Sequence, residues 1–180
     1  MIKKSPSAIS IIENMYAAES LERTIGYWLL EKKLKLVLAE SCTGGLIGHR
    51  ITNISGSSEY FLGSLVVYSY EAKQEWLGVK VETLERFGAV SRETVLEMAH
   101  GARTSFGNRF PIEQIIGLSV SGIAGPGGGT VEKPVGTVWI GLSAAAQENA
   151  WQFLWQGSRE ENKTRSAQKA LEILEEYLRS

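Results

Sequence analysis

Helix-like and strand-like hydrophobic patterns alternate along most of the chain, and this alternation restricts its possible folds more than any other feature. Leu21, Ile25, Trp28 and Leu29 recur at the spacing of one helix face, and the apolar run 34–39 has the length of a buried strand. Further strand-like runs lie at 65–68 and 115–121, with helical patterns over 70–77, 81–87 and 91–106. Strands that alternate with helices in this way are typical of α/β proteins with parallel strands.

The C-terminal third has a different order, because two strand-like runs at 135–145 and 150–155 follow each other directly. The polar residues 147–149 between them suit a hairpin, and an amphipathic helix over 158–178 ends the chain. We therefore predict an α/β fold, a three-layer α/β/α sandwich with a mixed, mostly parallel sheet. A chain of 180 residues suits one core, which we place in a single domain over 15–180 after an N-terminal extension, 1–14.

The charge balance excludes several classes of partner. The formal net charge is -1 and the pI about 6.2, so neither nucleic acid nor an anionic membrane is a default partner. No apolar run approaches the ~20 residues that a membrane-spanning helix needs, and Cys42 is the only cysteine. We expect a cytoplasmic protein that binds a small molecule.

Histidine is scarce, which limits the possible chemistry. His49 and His100 are the only two, and neither lies in a stretch that resembles a site. A Ser-His-Asp triad would have to use one of them, and a zinc site could barely be assembled. We therefore expect chemistry based on Ser, Tyr, Lys, Thr and Arg.

The stretch Glu40-Ser41-Cys42-Thr43-Gly44-Gly45 is the first candidate site. It ends a predicted strand with small hydroxyl and glycine residues and precedes a predicted helix. Such a corner exposes backbone N–H groups that can hold an oxyanion or a phosphate. The alternative is an ordinary capped helix start, where Ser and Thr are also favoured.

A second candidate combines Ser57 and Ser58 with Tyr68 and Lys73. A serine hydroxyl needs a base, and in the absence of a suitable histidine a neutral lysine can serve. The pKa of Lys73 would then have to fall through burial or nearby positive charge, with Tyr68 relaying a proton or orienting the amine. The alternative is a surface lysine and a simple turn.

Two further candidates follow in the second half. Five glycines lie between Gly122 and Gly129 after a predicted strand that ends at Ser121, where backbone could approach a ligand closely. This loop is neither a Walker loop nor a dinucleotide-binding turn, and it can also be a plain surface connection. Arg159 opens the last helix and could clamp a phosphate or a carboxylate, or it could be solvated.

Taken together, these stretches resemble the C-terminal domain of the competence/damage-inducible protein CinA, whose stand-alone members are nicotinamide-nucleotide amidases. The resemblance covers about residues 15–178, and its motifs occur in the family's order at 39–45, 56–58, 67–73, 88–91, 121–126 and 133–138. Tyr70, Ser158 and Lys163 depart from the residues common at their positions. The resemblance implies hydrolysis of nicotinamide mononucleotide to nicotinic acid mononucleotide and ammonia. It also implies a homodimer, a three-layer α/β/α fold, and no cofactor.

The resemblance also implies roles for individual residues. The family's catalytic serine falls on Ser58, and its tyrosine and lysine fall on Tyr68 and Lys73. We therefore expect Lys73 to take the proton of Ser58, with Ser41 as the next candidate nucleophile, since spacing alone favours Ser41. Donors near Ser41 and Ser121 would hold the oxyanion. The expected substrate-binding residues are Thr43, Gly44, Gly45, Gly122, Gly125 and Arg159.

A rival interpretation keeps the fold without the chemistry. The chain would then be a nucleotide-binding or regulatory module of the competence/damage-inducible type. Intact Ser58, Tyr68 and Lys73 argue against this, because a pure binder has no need for a base. An amidase for another carboxamide is a third possibility, and Tyr70 beside the predicted base is the reason to consider it.

Overall fold

The computed structural model describes residues 20–180, so the predicted N-terminal extension lies outside the described residues. The helices are α1 (Leu21–Glu31), α2 (Leu46–Thr52), α3 (Tyr70–Leu77), α4 (Val81–Phe87), α5 (Arg92–Thr104) and α6 (Arg159–Arg179). The strands are β1 (Lys35–Glu40), β2 (Phe61–Val66), β3 (Ile115–Gly122), β4 (Thr137–Ser143) and β5 (Glu148–Leu154). Short 3-10 turns at Ser57–Glu59 and Ile112–Gln114 precede β2 and β3.

The five strands form one sheet in the order β2-β1-β3-β4-β5. β1 pairs in parallel with both β2 and β3, whereas β4 is antiparallel to β3 and to β5. Four of the five strands therefore run in the same direction. The predicted mixed, mostly parallel sheet and the hairpin between its last two strands are confirmed.

Helices cover both faces of the sheet. On one face, α1, α2 and α6 pack with Leu36 and Leu38 of β1 in a single apolar cluster. On the other, α3, α4 and α5 form a second cluster with Val37 and Ala39. Successive side chains of a strand point to opposite faces, so β1 contributes alternately to the two cores. This arrangement confirms the three-layer α/β/α sandwich.

The bounds of β2 differ from the prediction. The strand spans Phe61–Val66 instead of 65–68, and the residues directly before it form the 3-10 turn Ser57–Glu59. β2 is an edge strand that is only partly covered. Its sequence therefore does not need the continuous apolar run that marks a buried strand. As a consequence, Val67 and Tyr68 lie beyond the strand, and their backbone carbonyls accept hydrogen bonds from Lys73.

Candidate active site

The candidate site lies where the parallel strands end. Glu40 of β1 is in register with Val66 of β2 and Val120 of β3. The residues that follow, Ser41 and Val67, therefore emerge at the same edge of the sheet. Carboxyl ends of parallel strands are a frequent place for binding and catalytic groups, because the loops after them converge there.

Lys73 reaches this edge from α3. Ser69 caps the helix, its hydroxyl accepting from Ala72 N at 3.1 Å, and this fixes the first turn from which Lys73 extends. The Lys73 side chain is completely buried. Its Nζ donates to Ser41 Oγ (3.0 Å), to the Val67 carbonyl (2.7 Å) and more weakly to the Tyr68 carbonyl (3.3 Å).

Burial changes the acidity of Lys73. It lowers the pKa of the Lys73 ammonium from 10.5 to about 8, because the charged form loses its hydration. Among residues 20–180, no carboxylate forms an ion pair with Lys73 that would restore the usual value. A substantial fraction of the neutral amine is therefore present near physiological pH, as a general base requires.

The partners of Lys73 suit the neutral amine. A neutral amine has two N–H donors and one lone pair, and the two backbone carbonyls can take the two donors. The lone pair then faces Ser41 Oγ, whose hydroxyl can donate to it. Val67 and Tyr68 thus orient the amine through their main chain. The arrangement is a serine with a base at hydrogen-bonding distance, the geometry of an activated nucleophile.

Ser58 lies at the opposite edge of the sheet, and the expected pair of Ser58 with Lys73 is therefore wrong. Ser58 belongs to the turn before β2, where the neighbouring Glu59 carbonyl accepts a hydrogen bond from Lys35 at the start of β1. Lys73 lies beyond the other end of β2, and the five residue steps from Phe61 to Val66 span roughly 16 Å. A base at that separation cannot take the proton of Ser58, which is exposed to solvent.

The side chains of Tyr68 and Arg159 are hydrogen-bonded to each other. Arg159 donates from Nη2 to the Tyr68 hydroxyl (2.8 Å) and from Nη1 to the Gly125 carbonyl (2.7 Å). The Tyr68 hydroxyl is thus engaged with Arg159, and Tyr68 contacts Lys73 through its backbone. The structure brings Tyr68, Arg159 and Gly125 together, with the guanidinium tying the glycine-rich loop to the end of β2.

Ser121 and Gly122 occupy the same edge but are engaged in packing. Ser121 is buried and its Oγ donates to the Ala89 carbonyl at 2.7 Å, so its proton is not available to an oxyanion. A Cβ on Gly122 would lie 2.6 Å from a Val138 side-chain carbon and 2.9 Å from the Thr137 carbonyl. The close approach of β4 therefore explains why a residue without a side chain is needed at position 122.

Several backbone N–H groups of the turn after β1 already donate to acceptors within the protein. Gly44 N donates to the Ser41 carbonyl (3.1 Å), which makes 41–44 a tight turn, and Gly45 N donates to Glu40 Oε2 (2.9 Å). In the part of the chain that the structure describes, the N–H groups of Cys42 and Thr43 have no acceptor. These two donors, adjacent to Ser41, are the ones that can receive an oxyanion.

Glu40 is a buried residue for which the sequence had suggested no role. Its carboxylate accepts from the backbone N–H groups of Gly45 (2.9 Å), Ile47 (3.1 Å) and Gly48 (2.8 Å) and from the Ser64 hydroxyl (2.9 Å). These hydrogen bonds attach the turn that contains Ser41 both to the start of α2 and to Ser64 of β2. An acidic residue that ends an apolar run is the signal that could have identified it, since a buried carboxylate requires several donors.

Cys42 is packed and unreactive. It lies in the core, and burial raises the pKa of its thiol to about 12. Its neutral thiol is therefore no competitor of Ser41.

Across residues 20–180, no group of three His, Cys, Asp or Glu side chains could hold a metal ion. No helix in the same range has the length and apolarity to cross a membrane.

Comparisons with known proteins identify the family. The sequence model of the CinA C-terminal domain matches residues 18–178. A competence-damage inducible protein of Moorella thermoacetica is 48% identical over 162 residues, which are 90% of this chain and 38% of that protein. One from Clostridium acetobutylicum is 53% identical over 132 residues, 72% of this chain and 31% of that protein. The chain thus spans less than two-fifths of the length of these relatives.

Solved structures of the same superfamily share the fold. A CinA superfamily protein from Klebsiella pneumoniae has a TM-score of 0.81 and 31% identity, covering 88% of this chain and 95% of that one. The competence/damage inducible protein CihA of Agrobacterium tumefaciens has a TM-score of 0.75 and 38% identity, covering 89% and 96%. With the match over nearly all described residues, this chain belongs to the CinA C-terminal domain family.

Proposed function

We propose that this protein hydrolyses a carboxamide with Ser41 as nucleophile and Lys73 as general base. The observation that carries the proposal is the 3.0 Å contact between Lys73 Nζ and Ser41 Oγ, made by a fully buried lysine whose pKa burial lowers to about 8. A buried lysine without a carboxylate partner is costly for stability. Its placement against a serine supports a catalytic role.

The first half of the reaction forms an acyl-enzyme. Neutral Lys73 accepts the Ser41 proton as Oγ bonds to the carboxamide carbon. The N–H groups of Cys42 and Thr43 stabilise the resulting oxyanion, and each such donor contributes ~3 kcal/mol in well-studied enzymes. The C–N bond then breaks, and the Lys73 ammonium gives its proton to the departing nitrogen, which leaves as ammonia.

The second half restores the enzyme. Water attacks the ester on Ser41 while Lys73 takes one of its protons. The new tetrahedral species collapses, the C–O bond to Ser41 breaks, and Lys73 returns the proton to Oγ. One water is consumed, and one carboxylic acid and one ammonia are formed. The substrate we propose is nicotinamide mononucleotide, which the family resemblance implies and which carries the carboxamide that this chemistry needs.

The test measures ammonia release from nicotinamide mononucleotide by the wild type and three variants. We expect Ser41→Ala and Lys73→Met to lose activity by about 10³-fold or more. Ser58→Ala is the matched serine variant at the opposite edge of the sheet, and we expect wild-type rates. Full activity in Ser41→Ala would refute the proposed nucleophile. Saturable binding of the mononucleotide without turnover by the wild type would favour a binding module.

A further inference from the structure

A cavity adjoins the turn that carries Ser41. Its volume is about 340 Å³, within the usual range for small-molecule pockets. One wall is the turn from Thr43 to Leu46 with His49 of α2, and the other is α6, with Glu160, Lys163 and Thr164. Ser41 and Gly44 are the first and fourth residues of one tight turn, so the cavity begins within about 7 Å of the nucleophile's backbone.

The main chain at this end of α2 is not available to an anion. The N–H groups of Gly45, Ile47 and Gly48 all donate to the Glu40 carboxylate. The negative charge of Glu40 already occupies the place where a bound anion would find backbone donors. Since the free N–H groups of Cys42 and Thr43 are assigned to the oxyanion, a second anion in this cavity must be recognised mainly by side chains.

Lys163 is a cation without a partner among the described residues. Within residues 20–180 it forms neither a hydrogen bond nor an ion pair, and its Nζ lies 3.7 Å from the position of a Cβ on Gly44. Its charge also acts on the adjacent Cys42, where it opposes the effect of burial on the thiol pKa. A Cβ there would be in ordinary van der Waals contact with the ammonium group, so it is the φ of +63° that favours glycine at position 44.

Arg159, the cation expected to hold a phosphate, is differently placed. Its Nη1 and Nη2 donate to the Gly125 carbonyl and the Tyr68 hydroxyl. Binding a phosphate would break contacts that join the glycine-rich loop to β2. Lys163 can bind an anion without giving up any contact to the described residues.

Thr43 adds a polar group to the same wall. It is almost completely buried, and its Oγ1 has no hydrogen-bond partner in the described part of the chain. A buried hydroxyl without a partner is unusual in native structures and calls for an explanation. A ligand in the cavity that Thr43 lines would provide one.

We infer that this cavity is the subsite for the phosphate monoester of the substrate, with Lys163 as its main cationic contact and Thr43 and His49 as further donors. The inference rests on the proposed function, because it assigns the two ends of one substrate to neighbouring places. The carboxamide lies at Ser41, and the phosphate lies across the tight turn at Lys163. Arg159 instead serves as a clamp between Tyr68 and Gly125.

The first experiment measures equilibrium binding and needs no turnover. Ribose 5-phosphate and inorganic phosphate are titrated calorimetrically into the wild type, Lys163→Gln, Glu160→Gln and Lys169→Gln. We expect Lys163→Gln to weaken ribose 5-phosphate binding about tenfold, the effect of losing one charge-assisted hydrogen bond. Glu160→Gln should strengthen it, since a carboxylate leaves the cavity wall. Lys169 lies further along α6, paired with Glu172, and its variant should bind like the wild type.

The two ligands separate a substrate subsite from a plain phosphate site. Stronger binding of ribose 5-phosphate than of inorganic phosphate supports the inference. Equal binding of the two, unchanged binding in Lys163→Gln, or no binding by the wild type would overturn it. Arg159→Gln is titrated in the same way, and loss of binding in this variant but not in Lys163→Gln would also overturn the inference and return the phosphate to Arg159.

Kinetic measurements distinguish a failure of this inference from a failure of the proposed function. With nicotinamide mononucleotide we expect Lys163→Gln to raise KM about tenfold with little change in kcat, as expected for lost ground-state binding. With nicotinamide riboside, which lacks the phosphate, the variant should match the wild type. If the wild type binds ribose 5-phosphate through Lys163 but releases no ammonia, the subsite holds and the proposed function fails. If Lys163→Gln hydrolyses the mononucleotide as well as the wild type does, the proposed function holds and the subsite fails.

Discussion

Lys73 Nζ lies 3.0 Å from Ser41 Oγ, although 32 residues separate them in the chain. The contact arises because β1 and β2 are parallel neighbours that end at the same edge, and α3 returns towards that edge directly after β2. Both residues are buried, so water does not compete for the pair. The topology of the sheet therefore assembles the serine and its base.

The activity should increase with pH through the pKa of Lys73. Below pH 8 the ammonium form prevails and cannot accept the Ser41 proton, so kcat/KM should fall about tenfold per pH unit on the acid side. Above this pH it should level off, with a midpoint near 8. The measurement is the pH profile of kcat/KM for ammonia release. A flat profile between pH 6 and 9 would contradict Lys73 as the base.

The same lysine should make the stability of the fold depend on pH. In the unfolded chain the pKa of Lys73 returns to 10.5, so between pH 8 and 10.5 the unfolded state binds more protons than the folded one. The free energy of unfolding should therefore rise with pH in this window, by up to about 3 kcal/mol from this group. Urea unfolding of the wild type and of Lys73→Met at pH 7.5 and 10 checks this. Because pH 7.5 and pH 10 do not cross the whole window, the difference between the two proteins should change by about 2 kcal/mol, whichever of them is more stable at pH 7.5.

Glu40→Gln should destabilise the protein and slow catalysis. The amide keeps the size of the side chain but places an NH₂ group against backbone donors of Gly45, Ile47 and Gly48, so at least one of them loses its acceptor. We expect a loss of about 2–3 kcal/mol in urea unfolding. A lower kcat should accompany it, because the turn that carries Ser41 is released. Glu85→Gln, an exposed change on α4 of the same kind, is the control and should stay within about 0.5 kcal/mol of the wild type.

Tyr68→Phe separates two roles of the tyrosine. Its hydroxyl contacts Arg159, whereas its backbone carbonyl contacts Lys73, and the side chain is 62% exposed. We expect kcat/KM to fall less than about tenfold, with the midpoint of the pH profile unchanged. A hydroxyl that relays the proton would instead cost about 10²–10⁴-fold. Arg159→Gln removes the other partner of the same hydrogen bond and should reproduce the smaller effect.

Much of the fold could be predicted because it depends on local patterns. The apolar run of β1, the helix-capping serines Ser69 and Ser91, and the polar turn before β5 are each visible in a few consecutive residues. β2 was predicted less well. An edge strand has weak apolar constraints, and its residues Leu62, Gly63 and Ser64 form no continuous run.

The candidate site was harder to predict, because it depends on which end of each strand a residue occupies. Ser41 and Ser58 both lie near β1 and β2 in sequence, but one follows a strand and the other precedes one. Only the start of β2 at Phe61 shows that Ser58 faces the far edge. The family pattern placed the serine on Ser58, whereas the local argument from the strand-to-helix corner favoured Ser41, and the geometry favours the local argument. The hydrogen bond that occupies Ser121 could not be foreseen either, since its partner Ala89 is distant in sequence.

Gly101→Ala should destabilise the fold and reduce activity, although an alanine usually stabilises a helix by roughly 0.5–1 kcal/mol over glycine. A Cβ at this position in α5 would lie 2.0 Å from the Leu77 carbonyl oxygen at the end of α3. The two helices must separate, and overpacking of this kind costs about 1–3 kcal/mol. Since α3 carries Lys73, its shift should lengthen the contact with Ser41 and lower kcat more than it changes KM. Thermal unfolding and ammonia release measure the two effects. Gly127→Ala, where a Cβ meets nothing within 4 Å, should change neither by much. An equally stable and active Gly101→Ala would show that α5 does not hold α3 in place.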